Sequence, residues 1–370
     1  MINRELIRIK IVQLTYAYYQ NANLDLLADE QSLLDSKTSV TQLRGRSVQQ
    51  ALHETGITPD EHQRLLQKSI DSVEKELHFS LNKAYELYHL LLSFIVAVHN
   101  EMTHRYDVST IIAVREGRER PSMRFIDNRF ARQLADNETL KEYTAAHNPD
   151  WQEHIDVVRK VCQRIEQSDI YNQYLTQDEA PDYDADRELW RKLYKLFIQD
   201  NDELDTLLEE QSLYWNDDKM VVDDFVLKTI RRFREKNGAQ QELLPAWHSE
   251  DDKLFAEKLL HASLTRAEEY HQYMRDISEN WDFERLAYMD VVIMQTALAE
   301  MTTFINIPVN VSINEYVELA KVYSTAKSAT YINAMLDAIA HRLIAKGKML
   351  KPMTSPDKEK TAEEEKEQIE

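Results

Sequence analysis

Between Glu61 and Glu101 nothing in the chain interrupts a helix. There is no glycine and no proline, and Leu65, Ile70, Val73, Leu77, Leu81, Tyr85, Tyr88, Leu91, Leu92 and Ile95 recur mostly three or four residues apart. A stretch of that length must bury an apolar stripe against other helices. The rest of the chain supplies them, because only 5 Gly and 8 Pro occur in 370 residues and few segments alternate apolar with polar. The expected fold class is all-α. Gly45, Gly56, Gly117, Gly238 and Gly347 stand singly, so no glycine loop is present to cradle a phosphate. That excludes a nucleotide-hydrolysing enzyme and a dinucleotide-binding fold.

Other helices follow from the same period. Residues 2–20 form an amphipathic helix with Ile2, Leu6, Ile9, Val12, Tyr16 and Tyr19 on one face and Arg4, Arg8 and Lys10 away from it. Gln42–Thr55 is a candidate short helix closed by Gly56 and Pro59. Glu116–Arg124 reads as a basic loop around Gly117 and Pro121. Phe125–Leu140 and Trp151–Tyr174 read as helices separated by Asn148-Pro149-Asp150, and Gln177–Asp186 as an exposed acidic loop. Glu188–Gln211 is expected to be helical with Trp190, Leu193, Leu196 and Phe197 facing inward. Val221–Lys236 carries Lys228, Arg231, Arg232, Arg234 and Lys236; these make either a solvated helix face or a phosphate contact, and Asn237-Gly238 is placed at its end. Phe255, Leu259, Leu260, Leu264 and Tyr270 give a further helix. Ser355–Glu370 is charged, poor in apolar residues and expected to be disordered.

Charge and cysteine content narrow the function. The net charge is −20, so nucleic acid is bound only if a local basic patch or a basic partner overcomes the global field. Cys162 is the single cysteine, which excludes a disulfide scaffold and a cysteine zinc site and leaves a small packed residue. The apolar run Leu90–Val98 is too short to span a bilayer, and the N-terminus lacks the pattern of a signal peptide. A soluble cytoplasmic protein with no membrane partner is expected. Glu86/His89, Glu101/His104 and Glu268/His271 have the Glu-x-x-His spacing of di-iron helical bundles. The surrounding charges suit solvated helices better, so no metal and no cofactor is assigned.

The most informative stretch is Ile307–Arg342. Ser312 and Glu315 have the spacing of a capping box, placing a helix start at Ser312, with Pro308 setting the turn before it. Ile313, Tyr316, Val317 and Ala320 form its apolar face, and the period resumes at Ile332, Met335, Leu336, Ile339 and Leu343. Asn333 and Asp337 lie four apart on one side of the second helix. Upstream, Asp290 precedes Val291–Met301 and is expected to cap that helix. The segment Glu74–Glu86 is similar to Glu257–Glu269, sharing Glu, Lys, Leu, His, Ser, Leu, Ala and Glu at matching positions. Duplication and convergence of short amphipathic helices both account for this.

Ser312-Ile313-Asn314-Glu315, Val317-Glu318-Leu319-Ala320-Lys321, Tyr331-Ile332-Asn333 and Leu336-Asp337 together resemble the C-terminal signature of the NusB family of bacterial transcription antitermination factors. Arg8, Gln13 and Tyr16 are similar to the pattern that opens the family, although Glu5 and Leu6 stand where members often carry arginine. Trp281 and Arg285 fall at family-like positions. Gln295 and Ala299 replace a usual arginine and tyrosine. The resemblance implies a helical bundle made of a first helix at 1–20 and a domain at 251–350, with a helical insert at 21–250 and an acidic tail at 351–370. It also implies a non-enzymatic factor in ribosomal RNA transcription that pairs with NusE, a small-subunit ribosomal protein, binds boxA-type RNA and joins the RNA polymerase antitermination complex.

On that basis Arg4, Arg8, Lys10, Gln13, Tyr16 and Tyr331 are the expected RNA contacts, and Asp290 and Glu300 the expected partner contacts. Glu315, Glu318, Asn333 and Asp337 carry the motif, with Asn333 and Asp337 expected to hold helices together through buried hydrogen bonds. Arg8→Glu is expected to weaken RNA binding and leave the fold intact. RNA methyltransferases with a leading NusB-like domain are set aside, since that part comes last here and the cofactor loop and catalytic cysteine are missing. The competing reading is an acidic helical interaction scaffold without RNA contact.

Overall fold

The computed structural model describes residues 1–27, 59–147, 149–177, 180–277, 286–351 and 353. Among these residues there is no strand; the β-type contact present is a single bridge between Ile2 and Trp247. The expected Gln42–Thr55 helix, Trp281, Arg285 and Ser355–Glu370 lie outside the described residues. No described helix is long and apolar enough to cross a membrane. The chain divides into two compact units, one from residues 3–79 and 249–370, the other from residues 1–2 and 80–248.

The first unit holds α1 (Arg4–Leu27), the start of α2 (Pro59–Arg115) and the helices α10 (Glu250–Thr265), α11 (Ala267–Ile277), α12 (Tyr288–Thr303), α13 (Val309–Tyr323) and α14 (Ala326–Ala345). α1 is opened by Asn3, whose Oδ1 accepts from the Leu6 amide at 2.9 Å. It packs against both α10 (Glu250–Thr265) and α12 (Tyr288–Thr303). That double contact explains why its buried surface is wider than one stripe: Ile7 and Ile11 are buried as fully as Leu6 and Val12. α10 is capped by Ser249, which accepts from the Asp252 amide and donates to the Asp252 carboxylate at 3.1 Å. The helix expected to continue to Tyr270 breaks at Arg266, and α11 (Ala267–Ile277) begins anew. The two similar segments meet in this unit and run antiparallel there: His261 Nδ1 lies 3.3 Å from Glu74, and His78 Nε2 lies 3.4 Å from Glu257.

α12 is the centre of this unit, buried continuously from Asp290 to Met301. α13 (Val309–Tyr323) starts directly after Pro308, three residues before Ser312. The capping-box reading is therefore corrected: Ser312 sits inside the helix and turns inward. Asp290 is likewise no cap, since it lies in the first turn of α12 and accepts from Ser324 Oγ at 2.5 Å. α14 (Ala326–Ala345) is capped by Thr325, which accepts from the Ser328 amide at 3.1 Å. Past it, Lys351 is buried and the Met353 carbonyl accepts from the Asn310 amide at 2.9 Å.

The second unit contains the rest of α2 and the helices α3 (Arg129–Asp136), α4 (Glu138–His147), α5 (Ile155–Glu166), α6 (Asp169–Thr176), α7 (Tyr183–Tyr194), α8 (Asp202–Gln211) and α9 (Lys219–Arg232). The Phe125–Leu140 and Trp151–Tyr174 segments each resolve into two helices because a polar residue caps a new start. Asn137 accepts from the Leu140 amide at 3.0 Å, and Ser168 accepts from the Tyr171 amide at 3.3 Å. Asn137 also donates to the Gln241 carbonyl at 2.7 Å, pinning the loop after α9. Asn137→Ala loses the cap and strands a buried carbonyl, so it is expected to lower stability by about 2 kcal/mol in urea unfolding.

A π-helical turn at Lys195–Gln199 follows α7 and shifts the helical phase. Leu196 therefore turns outward, 55% exposed, and Ile198 takes the interior position instead. α9 ends at Arg232, earlier than expected. Gly238 adopts a positive φ of 50° in a following 3-10 turn, where its carbonyl accepts from Gln133 Nε2 at 2.8 Å.

Candidate functional site

α1, α12 and α13 bring the family-like residues of the first unit into one buried polar cluster. Arg8 projects from α1 between two carboxylates. Its Nε and Nη2 donate to the two oxygens of Glu300 at 2.8 and 3.0 Å, and its Nη1 donates to Glu315 at 2.8 Å. Glu300 also accepts from Ser312 Oγ at 2.8 Å and from the Tyr316 hydroxyl at 3.1 Å. Both of its oxygens are thus doubly bonded in a site closed to solvent. Burial alone would lower the Arg8 pKa, but the bond to Glu300 and the nearby negative charge outweigh it and raise the value, so the guanidinium stays charged. Burial and the Glu300 charge push the Tyr316 hydroxyl well above its ordinary range, so it remains a donor.

Arg8 and Lys10 are buried, as are Asp290 and Glu300. This departs from the expected phosphate and partner contacts; α1 is sandwiched between α10 and α12, and α12 is covered in turn by α13 and α14. Arg4 keeps a 43% exposed side chain, bonded through Nε to Asp252 at 3.1 Å, with its guanidinium 5.0 Å from the Phe255 ring. Gln13 donates to the Tyr323 hydroxyl at 3.3 Å. Tyr16 packs edge-on against Tyr288, ring centroids 5.2 Å apart, and is half-buried, as is Tyr331.

Asn333 and Asp337 also depart from expectation. Asn333 is exposed, and the half-exposed Asp337 carboxylate lies 3.6 Å from His341 on its own helix, so neither ties helices together. Glu318 is exposed and pairs with Lys321 at 2.6 Å.

Several residues of this site carried no signal in the sequence. Gln295, noted only as a missing arginine, is a fully buried hub. Its amide donates to the Tyr19 hydroxyl at 2.9 Å and to the Ser263 carbonyl at 2.8 Å, and its oxygen lies 2.7 Å from His271 Nε2. Tyr316 and Ser312 looked like an apolar face and a cap. The cluster's donors lie too far from Glu300 in sequence for spacing to reveal them, except for Ser312 and Tyr316 themselves.

The Glu-x-x-His pairs do not converge on an ion site. Glu101 takes Arg105 and Arg159 at 3.2 and 3.1 Å while His104 faces solvent. His89 stacks on Tyr143, and His271 is held by Gln295. Among the described residues no group of three His, Cys, Asp or Glu side chains is arranged to hold a metal. In the second unit Lys228, Arg231, Arg232, Arg234 and Lys236 are exposed, and Arg234 donates to the carbonyls of Arg231 and Phe233.

Comparison with known proteins converges on one family. Residues 225–341 match the model of the NusB family. The chain is similar to the transcription antitermination protein NusB of Natranaerobius thermophilus, 39% identical over 89 residues, covering 24% of this chain and 64% of the relative. It is 30% identical to that of Salinibacter ruber over 132 residues, 34% of this chain and 82% of the relative. It is 32% identical to that of Thermodesulfovibrio yellowstonii over 133 residues, 36% of this chain and 83% of the relative. No solved structure matches.

Proposed function

Because the chain belongs to the NusB family, we propose that it is a transcription antitermination factor for ribosomal RNA synthesis. It binds boxA-type RNA together with NusE and joins the antitermination complex of RNA polymerase. It works in the cytoplasm and performs no catalysis. The match across residues 225–341, with relatives named for antitermination covered over four fifths of their length, carries this reading.

The burial of the cluster supports a different division of roles from the one the resemblance implies. Arg8, Glu300, Glu315, Ser312 and Tyr316 are the bolt that fixes α1 to α12 and α13. Lys10, Gln13 and Asp290 position helices. RNA contact falls to Arg4 and to the half-buried rings of Tyr16 and Tyr331. The exposed Glu318 and Asn333 and the half-exposed Asp337 are open to a protein partner.

The test is a fluorescence-anisotropy titration of a labelled boxA RNA, with and without NusE, across salt concentrations. Tight binding is expected only with NusE present. Replacing Arg4 by alanine is expected to lower the salt dependence of log K by about 0.7, one phosphate on a single strand. A second reading follows from the burial of Arg8 and Lys10 in a chain of net charge −20: an interaction scaffold that binds NusE without RNA. A NusE complex that leaves the RNA free at every salt concentration would establish that reading in place of the first.

A further inference from the structure

Near its C-terminal end α2 carries an apolar face with no cover among the described residues. Val108, Ile111, Ile112 and Val114 are 43%, 54%, 42% and 55% exposed. Scattered exposed apolar side chains need no explanation, but four β-branched residues grouped on two turns of one helix do. Asp107 and Arg115 flank them, both exposed and both without an ion-pair partner among the described residues. Other arginines nearby are engaged, the half-buried Arg105 with Glu166 and the exposed Arg118 and Arg132 with Glu116 and Asp127, whereas Arg120 has no ion pair among the described residues.

The order of these residues is symmetric about Ile111. Val108 and Val114 lie three residues to either side of it, and Asp107 and Arg115 four to either side. At about 100° per residue, Asp107 and Arg115 fall about 40° to opposite sides of Ile111, and Val108 and Val114 about 60°. All five therefore share one face. If a second copy of the helix is laid antiparallel on that face, with a two-fold axis at Ile111, then Ile111 meets its own counterpart. Val108 then stands level with the other copy's Val114, and Asp107 with the other copy's Arg115, each pair on opposite flanks of the seam so that the long arginine side chain reaches across it, twice over. Opposite charges thus meet at both ends, and apolar groups meet between them. That is the self-complementarity an isologous interface requires.

We propose that this face of α2 is a homodimerisation surface, and that a second copy of the chain docks antiparallel across Val108, Ile111 and Val114 with reciprocal Asp107–Arg115 pairs. A contact built on one helix face is small beside the ~800 Å² per partner of a standard interface, so the dimer is weak and concentration-dependent. Interface and family reading are independent, because the surface lies outside residues 225–341.

Sedimentation equilibrium on the full chain tests this. The weight-average mass is expected to climb from 43.6 kDa toward twice that over about 10 µM to 1 mM. Ile111→Lys puts two ammonium groups on the axis and is expected to weaken association at least tenfold. Asp107→Arg and Arg115→Asp are each expected to weaken it comparably, by setting like charges opposite one another. The double exchange Asp107→Arg/Arg115→Asp restores both pairs and is expected to return association to within about threefold of wild type. All these positions are exposed, so helicity by circular dichroism is expected to be unchanged. A constant monomer mass in the wild type would overturn the proposal and leave the face to a different partner. Association indifferent to Ile111→Lys, or a double exchange that fails to restore it, would overturn it equally.

Discussion

Replacing Arg8 by methionine is expected to remove about 3–5 kcal/mol from the unfolding free energy of the unit that contains α1, the cost of leaving one member of a buried ion pair uncompensated. The group left behind is Glu300, which is inaccessible to solvent and keeps, among the described residues, the Ser312 and Tyr316 hydroxyls and the nearby charge of Lys351. Urea unfolding followed by circular dichroism reads the change. Replacing Glu300 by leucine in the same molecule removes the stranded charge as well, and much of the loss is expected to return. A single Arg8→Met change that stays within about 1 kcal/mol of wild type would mean that the pair is not buried as described. Arg8→Glu is no clean probe of RNA binding, because it sets a third carboxylate beside Glu300 and Glu315. The fold is not expected to survive it intact.

In the unit of residues 1–2 and 80–248, His99 is expected to act against stability in acid. This side chain sits among Phe125 and Trp190, 6% exposed, and burial pushes its pKa down to about 4. The Arg132 charge acts in the same direction, against hydrogen bonds to the backbone at Ile126 and Phe125. In the unfolded chain a histidine titrates near about 6.5. Between those values the unfolded state binds a proton that the folded state refuses, so stability falls as pH falls, by about 3 kcal/mol over the whole window.

Asp223 acts with the opposite sign. Burial raises it to about 6 against the stabilising bonds from Lys219 and Tyr194, so the folded state takes up its proton first and gains stability as pH falls below that value. The two slopes offset each other below pH about 6 in the wild type. His99→Phe removes only the destabilising one. Between pH 7 and pH 4.5 the variant is expected to gain about 2 kcal/mol relative to wild type. Parallel pH profiles for the two proteins would contradict this placement of His99.

Helix content was legible from the glycine and proline scarcity and the apolar period, and α2 is continuous as its sequence suggests. Helix breaks were less legible. The apolar period runs on across all three breaks: Asn137 ends one helix and caps the next, Ser168 caps the helix that starts after Gln167, and Arg266 closes α10, none of them disturbing the period. The π turn at Lys195–Gln199 leaves no mark in composition, yet it decides whether Leu196 or Ile198 is inside. In the site, periodicity put Arg8 on the open side of α1 because it assumes one neighbour per helix. α1 has two, and the second makes Arg8 interior. Ser312 and Glu315 had the right spacing for a cap, but Pro308 starts the helix earlier and frees both side chains for Glu300 and Arg8. Asn333 and Asp337 were assigned to the interior on the habits of their residue types, whereas the face of α14 that carries them is open.

Antitermination itself is tested most directly by transcription in a reconstituted system, from a template with boxA upstream of a terminator. Added together with NusE, this chain is expected to raise read-through severalfold, and scrambling boxA in the template is expected to abolish the increase. Read-through that is unchanged by the chain, or raised equally with boxA scrambled, would contradict the assignment.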